Sequence, residues 1–299
     1  MRFAVITTAL IPSRHASSPE LLIFNLYEQT GGDRMRLWIK LWWTTVALFA
    51  VASGLMAQEA TATKERDTGP RNIVITYRCV PAKRPAFRQY LLKDGMARFE
   101  KWKKDGVLED FRILYNRVTD DATWDAMAVL SLHDYADIDR WRDIEAVAPG
   151  GLNEQGLALA TPVNTYSMDL VWHGSSNPTM PRGKTVFFLI PYDYYPHTVE
   201  EYIKYVNAYV IPQIDGWMKA GVLADYGLYL NRYPTSRPWK VLFVIEYKDT
   251  LSFGARERTI AQVRAVLKEN PDWKSLNDTK LNMRVEKETV VADELLPAP

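Results

Sequence analysis

Trp217 to Tyr247 reads WMKAGVLADYGLYLNRYPTSRPWKVLFVIEY, and an earlier stretch, Trp102 to Leu132, reads WKKDGVLEDFRILYNRVTDDATWDAMAVLSL. The two align without a gap. Trp102/Trp217, Lys104/Lys219, Gly106/Gly221, Val107/Val222, Leu108/Leu223, Asp110/Asp225, Asn116/Asn231, Arg117/Arg232, Trp124/Trp239 and Val129/Val244 all keep one offset of 115. From Tyr90/Tyr205 to Asp134/Asp249 the alignment holds twelve identities in forty-five positions, where ordinary composition gives roughly three. The chain contains a duplication, and its halves are two copies of one unit.

Each copy spells the same order of elements. In the first, Asn72 to Val80 is a β-branched run ending at Pro81 and reads as a strand. Pro85 to Asp105 carries Phe87, Tyr90, Leu91, Met96, Phe99 and Trp102 at helical spacing, and Gly106 stops it. Val107 to Val118 and Trp124 to Leu132 flank a short loop of turn formers and predict an antiparallel hairpin. Asp134 to Ala148 predicts a second helix, broken by Pro149-Gly150-Gly151, and Asn164 to Trp172 a closing strand. The second copy replays this order. Thr185 to Tyr192 is its strand, Thr198 to Ala220 its helix with Thr198 as N-cap, and Val222 to Tyr233 with Trp239 to Tyr247 its hairpin. Ser252 to Glu269 and Lys280 to Val291 follow as helix and strand. Pro212 is expected to kink or restart the first helix near Val210, a departure from the first copy, where Ala97 stands.

A βαββαβ unit is the ferredoxin-like split βαβ, an antiparallel sheet with both helices on one face. The other face needs a cover, because Trp239 to Tyr247 is apolar on both alternating sets of positions. The fold class predicted is therefore α+β, with tandem ferredoxin-like repeats whose antiparallel sheets face each other, each roofed by its own helices. Repeat 1 spans 71–173, a Gly-, Pro- and Ser-rich linker 174–183, repeat 2 184–293, and a tail 294–299.

The N-terminus reads separately. Met35 to Lys40 is a short basic segment, and Leu41 to Ala57 an uncharged apolar run, together resembling a signal peptide over 35–57. Cleavage after Ala57 makes Gln58 the first mature residue. Leu55 is large for its place before that site, so cleavage after Ala60 or Ala62 stays open. The alternative is an uncleaved anchor, since about 17 residues is the lower limit for spanning a bilayer. Residues 1–34 precede this pattern and read as a non-native leader from a mis-set start, and 58–70 as a polar linker. The expected location is periplasmic or secreted, with no stable membrane insertion after cleavage. Lys and Arg total 37 against 36 acidic residues, so no net field gathers nucleic acid. The single cysteine, Cys79, has no internal partner and reads as a small buried residue in a strand.

These residues resemble the dimeric α+β barrel superfamily in its fused, two-repeat form. The segments YVIPQIDGWMKAGVLADYGLYLNRYPTSRPW, VIEYKD and RVEKETVVADEL are similar, more closely, to a group of exported bacterial proteins without an assigned chemistry. The resemblance covers about Arg71 to Leu296 and implies the barrel fold. The superfamily includes cofactor-free monooxygenases, small dehydratases and isomerases, and haem enzymes, and fold does not choose among them.

A haem or metal site needs an imidazole or thiolate ligand. Outside the leader only His133, His173 and His197 stand, in no ligand-like spacing, so no cofactor and no metal is expected. Glu246 interrupts VLFVIEY where the first copy has Ser131. A carboxylate inside a barrel is either paired or shifted toward its neutral form, and Arg232 or Tyr229 is its expected partner; a solvated strand-end Glu is the alternative. The repeated Asn116-Arg117 and Asn231-Arg232 read as turn caps and cross-strand charge pairs. Two functions follow. In one, a small apolar or aromatic molecule binds between the sheets among Glu246, Arg232, Tyr229, Tyr192 and Tyr247, with cofactor-free oxygenase-like or isomerase-like turnover. In the other, the lumen is filled and the protein is a structural or interaction module of the cell envelope. Oligomerisation is open in either case.

Overall fold

The structure, a computed structural model, describes residues 71–118, 120, 122–176, 182–195 and 198–297. The leader, signal peptide and polar linker read over 1–70 lie outside the described residues, as does His197.

Repeat 1 opens with β1 (Arg71–Cys79), followed by α1 (Arg84–Tyr90) and α2 (Met96–Lys104), which are joined by a π turn at Leu91–Gly95. The hairpin is β2 (Asp110–Asn116) and β3 (Ala126–Leu132). Then come α3 (Asp137–Val147), a single-turn α4 (Glu154–Leu157) and β4 (Ala160–Ser175). Repeat 2 follows with β5 (Val186–Tyr194), α5 (Val199–Tyr205), a π turn at Val206–Val210 and α6 (Ile211–Lys219). Its hairpin is β6 (Leu223–Asn231) and β7 (Val241–Tyr247). The remaining elements are α7 (Thr250–Gly254), α8 (Arg256–Leu267), α9 (Pro271–Thr279), β8 (Arg284–Glu286) and β9 (Val290–Leu295).

Local chemistry explains the matched elements. Thr198 Oγ1 accepts from Glu201 N–H at 3.2 Å, the N-cap read from sequence. Gly106 (φ 70°) and Gly221 (φ 74°) end α2 and α6 in the left-handed region. In each case the following valine N–H reaches back to a tryptophan carbonyl, Val107 to Trp102 at 2.9 Å and Val222 to Trp217 at 3.4 Å. That six-to-one bond is why the Trp-x-x-x-Gly-Val spacing survives in both copies.

The strands form one sheet that closes on itself in the order β7-β6-β4-β1-β3-β2-β9-β5, with β5 returning to β7 and β8 added on β5. The facing sheets are thus joined edge to edge at two antiparallel seams, β4 with β6 and β2 with β9, and barrel closure leaves neither seam as an open edge. The Asn-Arg pairs lock these seams. Asn116 and Asn231 each cap the hairpin by accepting the N–H two residues on, at 2.9 and 3.1 Å. Arg117 pairs with Asp293 of β9 at 2.6 Å, and Arg232 with Asp169 of β4 at 3.2 Å.

Alternation sorts the side chains into three cores. Phe188, Ile190, Phe243 and Ile245 face the helices of repeat 2, while Ile73, Ile75, Ala128 and Leu130 face those of repeat 1. Val74, Met127, Met168, Phe187, Leu189, Leu242 and Val244 fill the lumen between the repeats. Burying each large apolar side chain there contributes about 1.5–3 kcal/mol.

The structure corrects the reading at several points. β4 continues through Gly174 and Ser175, which had been placed in a linker, because they pair with Tyr226 and Asp225 across a seam. Glu294 and Leu295, assigned to a tail, belong to β9 and pair with Leu114 and Ile113. Pro212 is not what distinguishes the two first helices. Both copies break at the same π turn, so the proline sits where the i→i−4 ladder is already interrupted. α9 was not foreseen, although Asn270 caps it and Pro271 starts it; the first copy has only the single-turn α4, capped by Asn153, in that place.

Candidate functional site

The centre of the lumen is packed, and its two ends are not alike. One end carries Trp124, Trp239 and Tyr166, the last two rings stacked at 4.0 Å, around a cleft of about 260 Å³. Its cations Arg78 and Lys287 are exposed at the rim. The other end holds a cavity of about 190 Å³, walled by Val129, Phe187 and Val244 and lined by Arg112, Asp225, Tyr229 and Glu246. Here charged groups converge inside the barrel, so this end is the candidate site.

The duplication explains why a cavity exists there. Glu246 of β7 is 7% exposed and accepts from Arg112 of β2 at 2.7 Å, across the lumen from the other repeat. At the offset of 115, Arg112 corresponds to Gly227 and Glu246 to Ser131. One side of the barrel therefore carries a long ion pair and the opposite side a glycine and a serine. Ser131 turns aside to donate to Asn72 Oδ1 at 3.0 Å. A Cβ on Gly227 would stand 2.8 Å from the Tyr229 ring and 3.2 Å from Leu170, so glycine is what lets that ring lean along the wall.

The electrostatics follow from this crowding. Asp225 sits directly opposite Glu246 on the neighbouring strand. Burial pushes its carboxyl above the usual range, Glu246 adds to the shift, and Arg112 opposes it. Burial likewise pushes the Tyr229 phenol up to about 12, against the pull of Arg112, so this hydroxyl stays a donor at neutral pH. The Arg112 guanidinium also lies 5.5 Å from the centre of the Phe187 ring. Behind it, Arg182 holds the buried carboxylate of Glu294 with two guanidinium nitrogens. His173 stands exposed at the mouth.

Of the residues singled out in the sequence, the structure brings Glu246 and Tyr229 together. It does not bring the others. The partner of Glu246 is Arg112, not Arg232, which turns to Asp169 and stacks 5.5 Å from the Tyr135 ring. Tyr192 and Tyr247 face the helices of repeat 2 and not the lumen. For Tyr247 the period of two was already decisive, since neighbours on a strand point to opposite faces. Arg112 was missed, yet the gapless alignment carried its signal: an arginine in one copy against a glycine in the other. His133 is exposed beyond β3. Cys79 is half-buried, and burial and then Asp125 push its thiol up to about 12, which leaves it a weak nucleophile.

No family model matches the chain, and no curated protein matches it. Among solved structures, an anthrone oxidase-like protein superposes with a TM-score of 0.50 at 9% identity, over 77% of this chain and 92% of its own. The fold is the dimeric α+β barrel. Two further barrels of this kind are a candidate monooxygenase of Fusobacterium nucleatum subsp. nucleatum and a mutant chlorite dismutase of Candidatus Nitrospira defluvii. The first has a TM-score of 0.48 and 13% identity over 76% of this chain and 93% of that one. The second has 0.47 and 11% over 78% and 92%. At these identities the likeness is one of fold.

Proposed function

We propose that the barrel binds one small molecule with a flat apolar body and a polar group at the Arg112–Glu246 end, and that Asp225 exchanges a proton with it. The observation that carries this reading is the 190 Å³ cavity with Arg112, Asp225, Tyr229 and Glu246 converging on it. An apolar cavity of about 150 Å³ holds benzene, so a single substituted ring fits. Arg112 and the Tyr229 hydroxyl orient its polar group, and Phe187 and Val244 cover the ring. A carboxyl whose pKa burial raises is a better proton acceptor than an ordinary aspartate. Removing a proton from an activated carbon or hydroxyl is the step that a cofactor-free oxygenase or an isomerase requires. The packed centre of the lumen supports a second reading, a non-catalytic interaction module of the envelope.

Native mass spectrometry of the purified protein separates the two. The first reading expects a retained ring compound, and Asp225→Asn keeps it bound while exchange of its acidic proton into deuterated solvent stops. A ligand-free wild type that takes up no ring compound leaves the second reading. We propose further that the protein acts after export, with the leader removed near Gln58; N-terminal sequencing of the cell-fractionated protein tests this, and an intact leader overturns it.

A further inference from the structure

A second cavity, of about 130 Å³, lies outside the barrel, between β5, β7 and the helices of repeat 2. Its walls are apolar at Phe188, Ile190 and Phe243, and its polar lining sets Arg256, Arg264, Arg284 and the Trp217 indole beside Gln213 and Glu286. Arg256 is occupied at the surface with Glu257. Arg264 and Arg284 take part in no ion pair among the described residues. The one carboxylate at the rim, Glu286, is exposed and accepts a long 3.5 Å bond from Tyr192.

Two of the lining donors have nothing to donate to. Arg284 Nη1 and Trp217 Nε1 are shut away from solvent without a partner. Trp217 itself is only 7% exposed. Arg264 is held in place, its Nε donating to Gln213 Oε1 at 2.8 Å while the Gln213 amide donates to Tyr209 O at 2.9 Å. The Arg284 guanidinium carbon lies 4.0 Å from the centre of the Tyr192 ring. The field reaches Lys280, whose ammonium is held below its usual value by burial and by Arg264, Lys268 and Arg284. Buried donors without acceptors are costly, and two fixed guanidiniums without carboxylates call for an anion.

We propose that this cavity binds a small carboxylate with a short apolar tail, its head held by Arg264, Arg284 and the indole N–H of Trp217. The volume corresponds to about four water molecules, which limits the tail to a few carbons. Phe188, Ile190 and Phe243 favour that tail over an inorganic dianion, whose lost hydration such walls cannot replace.

The test uses the full chain, titrated calorimetrically with propionate and butyrate and, at matched ionic strength, with inorganic phosphate and chloride. Saturable binding of the carboxylates is expected, with a melting temperature that climbs with their concentration and not with chloride. Arg284→Met is expected to weaken binding about tenfold or more while raising the melting temperature of the ligand-free protein. Should that variant not fold, Trp217→Phe removes the N–H and keeps a smaller aromatic ring, and is expected to weaken binding about threefold. A wild type that binds neither carboxylate overturns the proposal. So does tighter binding of phosphate, or a folded variant that binds carboxylate as well as wild type.

Discussion

The segment after the second long helix seals the tyrosines on the helix-facing side of repeat 1, and the matching segment of repeat 2 does not. In repeat 1 the segment after α3 folds back over the sheet: Tyr77 donates to Gly150 O at 2.7 Å, and the Tyr90 hydroxyl accepts from Asn153 N–H at 3.3 Å. Gly150 and Gly151, both at positive φ, bring the backbone against Tyr77, Phe99 and Trp102. The counterparts of those tyrosines in repeat 2 are Tyr192 and Tyr205. There α9 docks elsewhere, with Trp273 donating to Tyr209 O at 3.0 Å, and the Tyr205 hydroxyl is left without a partner. Phe87 of repeat 1 is replaced at its counterpart by Tyr202, whose hydroxyl is orphaned as well. The lumen shows the same divergence in its own terms, with Arg112 and Glu246 set against Gly227 and Ser131. A duplicated fold needs only one copy of each layer to be self-sufficient, which leaves the other free to diverge.

The largest expected effect comes from breaking the closed side. Gly150→Val places a Cβ 2.6 Å from Pro162 in a left-handed backbone position. It is expected to lower stability by about 3 kcal/mol, read by denaturant unfolding; a loss under about 1 kcal/mol would show that the segment is not what seals repeat 1. Next is Glu246→Gln, which takes the charge from the Arg112 pair. Because Arg112 is one-third exposed and can turn to water, the expected cost is about 1–2 kcal/mol, together with loss of ligand at the lumen end. Arg112→Met combined with Glu246→Gln is expected to recover part of that stability, and a double variant no better than Glu246→Gln alone would refute the pairing.

A smaller effect sharpens the contrast between the helical layers. Tyr202→Phe removes an enclosed, unpartnered hydroxyl and is expected to stabilise the ligand-free protein by about 1 kcal/mol, whereas Phe87→Tyr is expected to destabilise it. Thermal melts of the pair, with the same sign for both, would erase the distinction. The smallest effect is a pH dependence. The folded-state pKa of Asp225 is raised by burial, so its contribution to stability is fully present below the unfolded carboxylate range and is lost as pH rises through the folded value. Asp225→Asn is therefore expected to be more stable than wild type at neutral pH, with the gain shrinking on acidification. A gain independent of pH would mean that Asp225 carries no raised carboxyl.

Much of the fold was legible in the sequence because its signals are local. The offset between Trp102 and Trp217 announced two copies, the capping glycines fixed where each helix stops, and the apolar residues on both faces of Val241–Tyr247 required a cover on each side. Period-two alternation also held the separation of Glu246 from Tyr247, although the reading placed both in one site. What the tertiary structure decided is which edges meet and therefore who stands opposite Glu246. Arg112 lies 134 residues away along the chain, and only closure of the seams β2–β9 and β4–β6 brings it across the lumen. The orphaned donors around Arg284 were equally invisible, because a missing partner depends on where every other segment packs. Spacing along a strand is set by backbone geometry, whereas contact across a barrel is set by the docking of surfaces that no short window of sequence contains.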